Sequence, residues 1–189
     1  SSEATATVES SSISGNTAFS GGGVMNNGTL RIERSLIDSN RAAGTGGIGT
    51  GGIGAGIVSG GVLTVIDSTV SNNEADFYSG GIQNNGYIVT ISGSTISGNS
   101  GGSGVGGIFN RGGDRATMTI TNSTISGNTA SGGGGIRNGD SADDESVLSM
   151  ANVTVTGNIA TGNAGGVFSV SAGPDTLSIQ NTIIAGNSA

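Results

Sequence analysis

The sequence predicts an all-β protein built as one parallel β-helix, and three observations carry that expectation. First, a thirteen-residue pattern ending in Asn recurs at Asn16, Asn40, Asn73, Asn99, Asn128, Asn158 and Asn187. Second, the tenth, eighth and third positions before that Asn are apolar in every copy. Third, Gly, Ser, Thr and Asn fill the places between, and no stretch keeps the i, i+3, i+4, i+7 apolar spacing of a helix. The repeats are 24, 33, 26, 29, 30 and 29 residues apart. A period of ~20–50 residues marks an architecture in which each unit buries its apolar face on its neighbours.

Each element of the unit can be read in order. The first strand holds the pairs Ala6/Val8, Leu30/Ile32, Leu63/Val65, Val89/Ile91, Met118/Ile120, Leu148/Met150 and Leu177/Ile179. They alternate with mostly polar residues, as in Thr117-Met118-Thr119-Ile120-Thr121, which is the period of a half-buried strand. The second strand carries one inward residue: Ile13, Ile37, Val70, Ile96, Ile125, Val155 or Ile184. The third begins with small residues, as in Gly134-Gly135-Ile136-Arg137-Asn138. Gly and Asn between the strands accept the left-handed backbone that corners require. Three short strands separated by corners make one coil. A flat antiparallel sandwich would not need the same strand order in every unit.

About six to seven coils at the ~4.8 Å strand spacing give a rod ~30 Å long. The whole chain, residues 1–189, reads as a single domain with loop insertions near 41–55, 111–115 and 139–145. The Asn column is expected inside, as a ladder of side-chain amides of the kind that stabilises stacked β structures. Ser11, Ser35, Ser68, Ser94 and Ser123 form a second column that breaks at Val153 and Thr182.

Composition narrows the function. Net charge is −7, with no Lys, His or Cys and six Arg. That disfavours nucleic acid, whose binding draws on clustered cations. No apolar run approaches the ~18 residues of a membrane helix, so membrane insertion is not expected. Without His or Lys, the usual general bases are missing, and a non-catalytic role is expected. No cofactor is expected, with one exception to weigh. Asp140, Asp143, Asp144 and Glu145 cluster on an insertion and could hold Ca²⁺ through oxygen ligands; the competing reading is a solvated acidic loop. Gly44 to Gly49 matches G-x-G-x-x-G formally, but no helix follows, so the motif fails its own context test. The few aromatics, Phe19, Phe77, Tyr78, Tyr87, Phe109 and Phe168, fall in scattered registers. Phe77-Tyr78 is the pair placed to touch a ligand or to pack a loop onto the rod.

The run Ser123-Thr124-Ile125-Ser126-Gly127-Asn128 followed by Gly134-Gly135-Ile136-Arg137-Asn138 resembles the repeats of polymorphic outer-membrane proteins. It is also similar to other pectate-lyase-like β-helices of bacterial surfaces. The Gly-Gly-Ile/Val element recurs at Gly22-Gly23-Val24, Gly80-Gly81-Ile82, Gly106-Gly107-Ile108 and Gly165-Gly166-Val167. The resemblance implies a right-handed coil, an extracellular or cell-surface location, and a structural or adhesive role. Cell-surface or matrix polysaccharide is then a possible partner.

Two alternatives follow from other features. The outward residues Thr5, Thr7, Thr29, Thr64, Thr90, Thr117, Thr119 and Thr176 give a Thr-rich face that is similar to the arrays of ice-binding β-solenoids. β-branched residues also simply favour exposed strands. A polysaccharide-processing enzyme would instead need carboxylates gathered on one face. Neither end of the repeat shows an evident cap. Ala6, Val8 and Ile13 at one end, and Leu177, Ile179 and Ile184 at the other, are therefore expected to be open. Uncapped strand edges invite pairing with another chain. The chain is expected to stack head-to-tail on itself as a filament, or to form part of a longer surface protein.

Overall fold

The structure, a computed structural model, describes residues 4–44, 53–112, 116–140, 145–170 and 176–189. It is all-β, with every sheet parallel and no helix among the described residues. Two seven-stranded sheets and one six-stranded sheet run the length of a β-solenoid. The stack makes about five turns, slightly fewer than the six to seven expected.

The first-strand sheet contains Thr5–Glu9, Thr29–Glu33, Val62–Ile66, Ile88–Ser92, Thr117–Thr121, Val147–Ala151 and Thr176–Gln180. Its register pairs the same repeat position in successive coils, as in Met118↔Leu148 and Ile120↔Met150. The second-strand sheet runs from Ser12–Ser14 to Ile183–Ala185 and aligns Val70, Ile96, Ile125, Val155 and Ile184. The third-strand sheet runs from Val24–Asn26 to Val167–Ser169 and aligns Ile57, Ile82, Ile108 and Ile136. These three sets of inward side chains make one continuous apolar core. Each buried Ile, Leu or Val contributes about 1.5–3 kcal/mol.

A fourth, two-residue strand follows most of the ladder Asn residues, as in Arg41–Ala42, Glu74–Ala75 and Thr129–Ala130. It was not among the three strands expected. Its signal is a small residue two places after the Asn: Ala18, Ala42, Ala75, Gly101, Ala130, Ala160 and Ala189. Ala42, Ala55 and Ala75 pack into a small cluster of their own.

The corners follow two backbone columns. Ser10, Arg34, Asp67, Asn122, Asn152 and Asn181, with Gly93, have positive φ at the turn between first and second strands. Gly15, Ser39, Asn72, Gly98, Gly127, Gly157 and Gly186 have it in the residue before each ladder Asn. The turn is therefore left-handed at the same two places in every coil, whichever residue stands there. Residues 45–52, 113–115 and 141–144, within the three expected insertions, lie outside the described residues.

Candidate functional site

Three surfaces could act on something outside the chain: the two end faces, the outer face of the first-strand sheet, and the outer face of the third-strand sheet. The interior fixes all three.

At the second corner the seven Asn side chains form an unbroken amide ladder. The Nδ2 groups of Asn16, Asn40, Asn73, Asn99, Asn128 and Asn158 each donate to Oδ1 of the next Asn at 2.9–3.0 Å. The same Oδ1 accepts the preceding Asn's backbone N–H, for example Asn99 N–H to Asn128 Oδ1 at 3.0 Å. The second Nδ2 proton goes back one coil, as from Asn128 to the Ile96 carbonyl at 3.0 Å. An amide offers two donors and two acceptor sites, so each buried Asn is fully satisfied.

The Gly-Gly pairs explain themselves against this ladder. A Cβ on Gly107 would lie 2.5 Å from the Gly135 carbonyl and 3.1 Å from Asn128 Nδ2. A Cβ on Gly135 would lie 2.5 Å from the Gly166 carbonyl and 3.2 Å from the Asn158 amide. The amides fill the space a side chain would need, so the Asn and the second Gly are two halves of one contact.

The Ser column also ladders. Backbone N–H groups of Ser11, Ser35, Ser68 and Ser94 donate to the next Ser Oγ at 3.1 Å. At the break, Val153 is buried and its N–H donates to Thr182 Oγ1 at 3.3 Å. A further ladder was not expected from the sequence: Asn84 donates to Asn110 at 2.9 Å and Asn110 to Asn138 at 2.8 Å. Ser59 stands in the same column and accepts from Asn26 at 3.0 Å.

The end faces are open in this chain. Leu177, Ile179 and Ile184 are 38%, 45% and 43% exposed, whereas Leu148 and Val155 beneath them are fully buried. At the other end Ala6 is exposed, and Val8 and Ile13 are half-buried. The amide ladder also has a direction. Oδ1 of Asn16 faces the end toward which each coil turns its acceptors, and Asn187 stands at the end toward which each coil turns its donors.

On the outer face of the first-strand sheet, Thr7, Arg31, Thr64, Thr90, Thr119, Ser149 and Ser178 share one column. Thr5 and Thr29 share the other with Val62, and so, further along, do Ile88, Thr117, Val147 and Thr176. Arg31 interrupts the array and pairs with Glu33, which also meets Arg34. The Arg31 hydrogen bond, with the charges of Arg31 and Arg34, holds the Glu33 carboxyl below its ordinary range against the opposing cost of desolvation. At the neighbouring corner the Asp38 carboxyl is lowered by hydrogen bonds from Ser71, Ser39 and Asn72 at 2.6, 2.7 and 2.9 Å.

The outer face of the third-strand sheet departs from the scattered placement expected for the aromatics. One column reads Met25, Val58, Gln83, Phe109, Arg137, Phe168. The Arg137 guanidinium lies 5.1 Å from the Phe109 ring centre and 5.6 Å from that of Phe168. Arg111 lies 5.0 Å over the Tyr78 ring. Asp140 joins the two cations, with Oδ2 at 2.8 Å from Arg111 Nε and Oδ1 at 3.1 Å from Arg137 Nη2. Phe77, Tyr78, Phe109, Arg137 and Asp140 line a groove of about 200 Å³.

The same pairing bears on the acidic cluster considered for Ca²⁺. Asp140 faces two guanidiniums, Glu145 is exposed, and Asp143 and Asp144 lie outside the described residues. Among the described residues no group of three or more His, Cys, Asp or Glu could hold a metal ion. No helix of the described residues is long and apolar enough to cross a membrane.

The chain matches no protein-family model, no curated protein and no solved structure. These comparisons lend no support to the likeness to bacterial surface β-helices read from the repeats; what the structure shows is a parallel β-solenoid.

Proposed function

We propose that this chain is a non-catalytic structural rod of an extracellular surface, which lengthens by stacking the last coil of one copy on the first coil of the next. The observation that carries this reading is the contrast in exposure along single core columns. Val155 is fully buried and Ile184, one coil on, is 43% exposed. A coil of the same register laid on that face would bury Leu177, Ile179 and Ile184, at about 1.5–3 kcal/mol for each side chain fully covered.

The amide ladder supports a head-to-tail arrangement. Asn187 presents donors toward one end and Asn16 presents an acceptor toward the other, so unlike ends complement each other. Unlike ends in contact give a heterologous, open-ended assembly. Net charge of −7 favours end contacts over clumping along the flanks, because the flanks repel. The likeness of the repeats to those of surface β-helices supports the extracellular placement, and the lack of His and Lys supports the non-catalytic one.

The test is electron microscopy and sedimentation of the wild-type chain beside Val8→Lys and Ile184→Asp. Wild type is expected to form linear particles of increasing length with concentration. Each variant is expected to stop that growth while its β-sheet circular dichroism is unchanged. A wild type that sediments as a monomer at high concentration rejects self-stacking and favours a place within a longer β-helical protein.

A further inference from the structure

The geometry points to the groove on the third-strand flank as a binding site for a neutral sugar ring, such as one unit of an uncharged polysaccharide. The site lies on the side of the rod, so the inference does not depend on how the ends are occupied.

The chain has four Phe and two Tyr, and Phe77, Tyr78, Phe109 and Phe168 all come to this flank. They arrive from different coils and meet two of the six Arg. The solenoid itself does not require this gathering, since other coils place Met25, Val58 and Gln83 in the same column.

The backbone holds Tyr78 in place at a cost. Its φ is 58°, and among the described non-Gly residues with positive φ it alone stands outside the two corner columns. A bulky residue in that region is a genuine outlier, and such strain gathers at ligand sites. The neighbouring chain fits closely around it. The Val105 N–H donates to the Tyr78 carbonyl at 2.6 Å, and a Cβ on Gly104 would lie 2.1 Å from that carbonyl oxygen.

The polar side is equally fixed. A guanidinium has five N–H donors. Arg137 uses Nε on the Gly139 carbonyl and Nη2 on Asp140, and Arg111 uses Nε on Asp140. Donors remain on both, held by ring stacking and the shared carboxylate. Ser103 adds a hydroxyl on the groove wall. Phe109 is itself buried, so the open aromatic wall is that of the half-buried Phe77 and Tyr78; such a wall beside a few fixed polar groups suits a ligand with one apolar C–H face and a hydroxyl edge. The volume of about 200 Å³ lies below the ~300 Å³ at which pockets for drug-sized ligands begin, so it suits one ring. Asp140 offsets one of the two guanidinium charges, and the net charge of −7 weighs against an acidic sugar.

The test is native affinity electrophoresis of the full chain through gels containing laminarin, dextran, galactomannan or xylan as neutral probes, and polygalacturonate or alginate as acidic ones. The wild type is expected to be retarded by at least one neutral probe and by neither acidic one. Tyr78→Gly removes the ring and relieves the backbone, so it is expected to melt no lower than wild type while losing at least tenfold in affinity. Arg137→Met keeps the packing between the two Phe rings and removes the donors; it is expected to lose as much, and it decides the matter if Tyr78→Gly fails to fold. Ile184→Asp, at the far end, is expected to bind like wild type, so failure of end stacking and failure of this site are told apart. No retardation by any neutral probe, undiminished binding by Arg137→Met, or preference for an acidic probe overturns the assignment.

Discussion

The coil that ends at Asn128 and the coil that ends at Asn187 carry matching apolar residues in the same core registers, yet in one they are buried and in the other exposed. Ile120 and Ile125 are fully buried, while Ile179 and Ile184 are 45% and 43% exposed. Asn128 gives its amide protons to Asn158 and to the Ile96 carbonyl, and its Oδ1 receives Asn99. Asn187 accepts from Asn158 and gives its amide protons to the Val155 and Ala185 carbonyls. Burial in this fold is therefore a property of stacking and not of the residue. An Ile at the same repeat position is fully buried in one coil and 43% exposed in another. The same substitution should consequently act on stability in the middle of the rod and on assembly at its end.

The largest contrast should come from a charge in the second-strand column. Ile125→Asp places an unpaired carboxylate in a fully buried site, which costs about 3–5 kcal/mol. A fall in the thermal midpoint of about 6–20 °C, or failure to fold, is expected. Ile184→Asp should leave the midpoint of the dispersed protein within a few degrees of wild type. Equal losses from the two would show that stacking does not divide them.

The Gly column should come next. Gly135→Ala drives a methyl to within 2.5 Å of the Gly166 carbonyl, and overpacking of this kind costs about 1–3 kcal/mol. Gly127→Ala meets nothing closer than 3.9 Å, but its φ is 63°. Its cost should be the left-handed backbone alone, about 1–2 kcal/mol. Urea unfolding of the two variants separates contact from conformation.

Asn128→Leu removes the acceptor of the Asn99 side-chain amide and backbone N–H, and the Nδ2 donor to Asn158 Oδ1, which keeps only the bond from the backbone N–H of residue 128. Loss of partners for buried polar groups costs about 1–3 kcal/mol. Asn187→Leu strands groups on one side only, so less than half that loss is expected from the same unfolding measurement.

The smallest effects belong to the corners. Ser10 has a φ of 47°, and Ser10→Gly should stabilise the chain by about 0.5–1 kcal/mol. The Asp38 and Glu33 carboxyls are lowered in the folded state. Their stabilising contribution is complete above the ordinary carboxylate value of about 4 and is lost as the pH falls through the lower folded values. A midpoint followed from about pH 5 down to about pH 2 should fall, and Asp38→Asn should make that fall shallower.

Much of this fold is legible in the sequence, because a column of identical residues has only one physical reading at each place. The inward pairs of the first strand can be read from their alternation, and Asn at a fixed offset marks a corner. The third-strand column is less plain. Aligning Ile82-Gln83-Asn84, Ile108-Phe109-Asn110, Ile136-Arg137-Asn138 and Val167-Phe168-Ser169 puts Phe109, Arg137 and Phe168 in consecutive coils. Their residue types differ, so no identity marks the column in the sequence. Tyr78 could not be placed at all. It stands outside the thirteen-residue pattern; the chain around Gly104 and Val105 packs on its backbone, and Arg111 lies over its ring.

The most direct test of end-to-end stacking is the particle length of the wild-type chain in negative stain as concentration rises, with Ile184→Asp imaged beside it. Seven strands at ~4.8 Å make one subunit about 30 Å long. The account predicts unbranched particles whose lengths are multiples of that unit for wild type, and single units for the variant. Wild-type particles that stay one unit long at every concentration, or that grow equally in the variant, would contradict it.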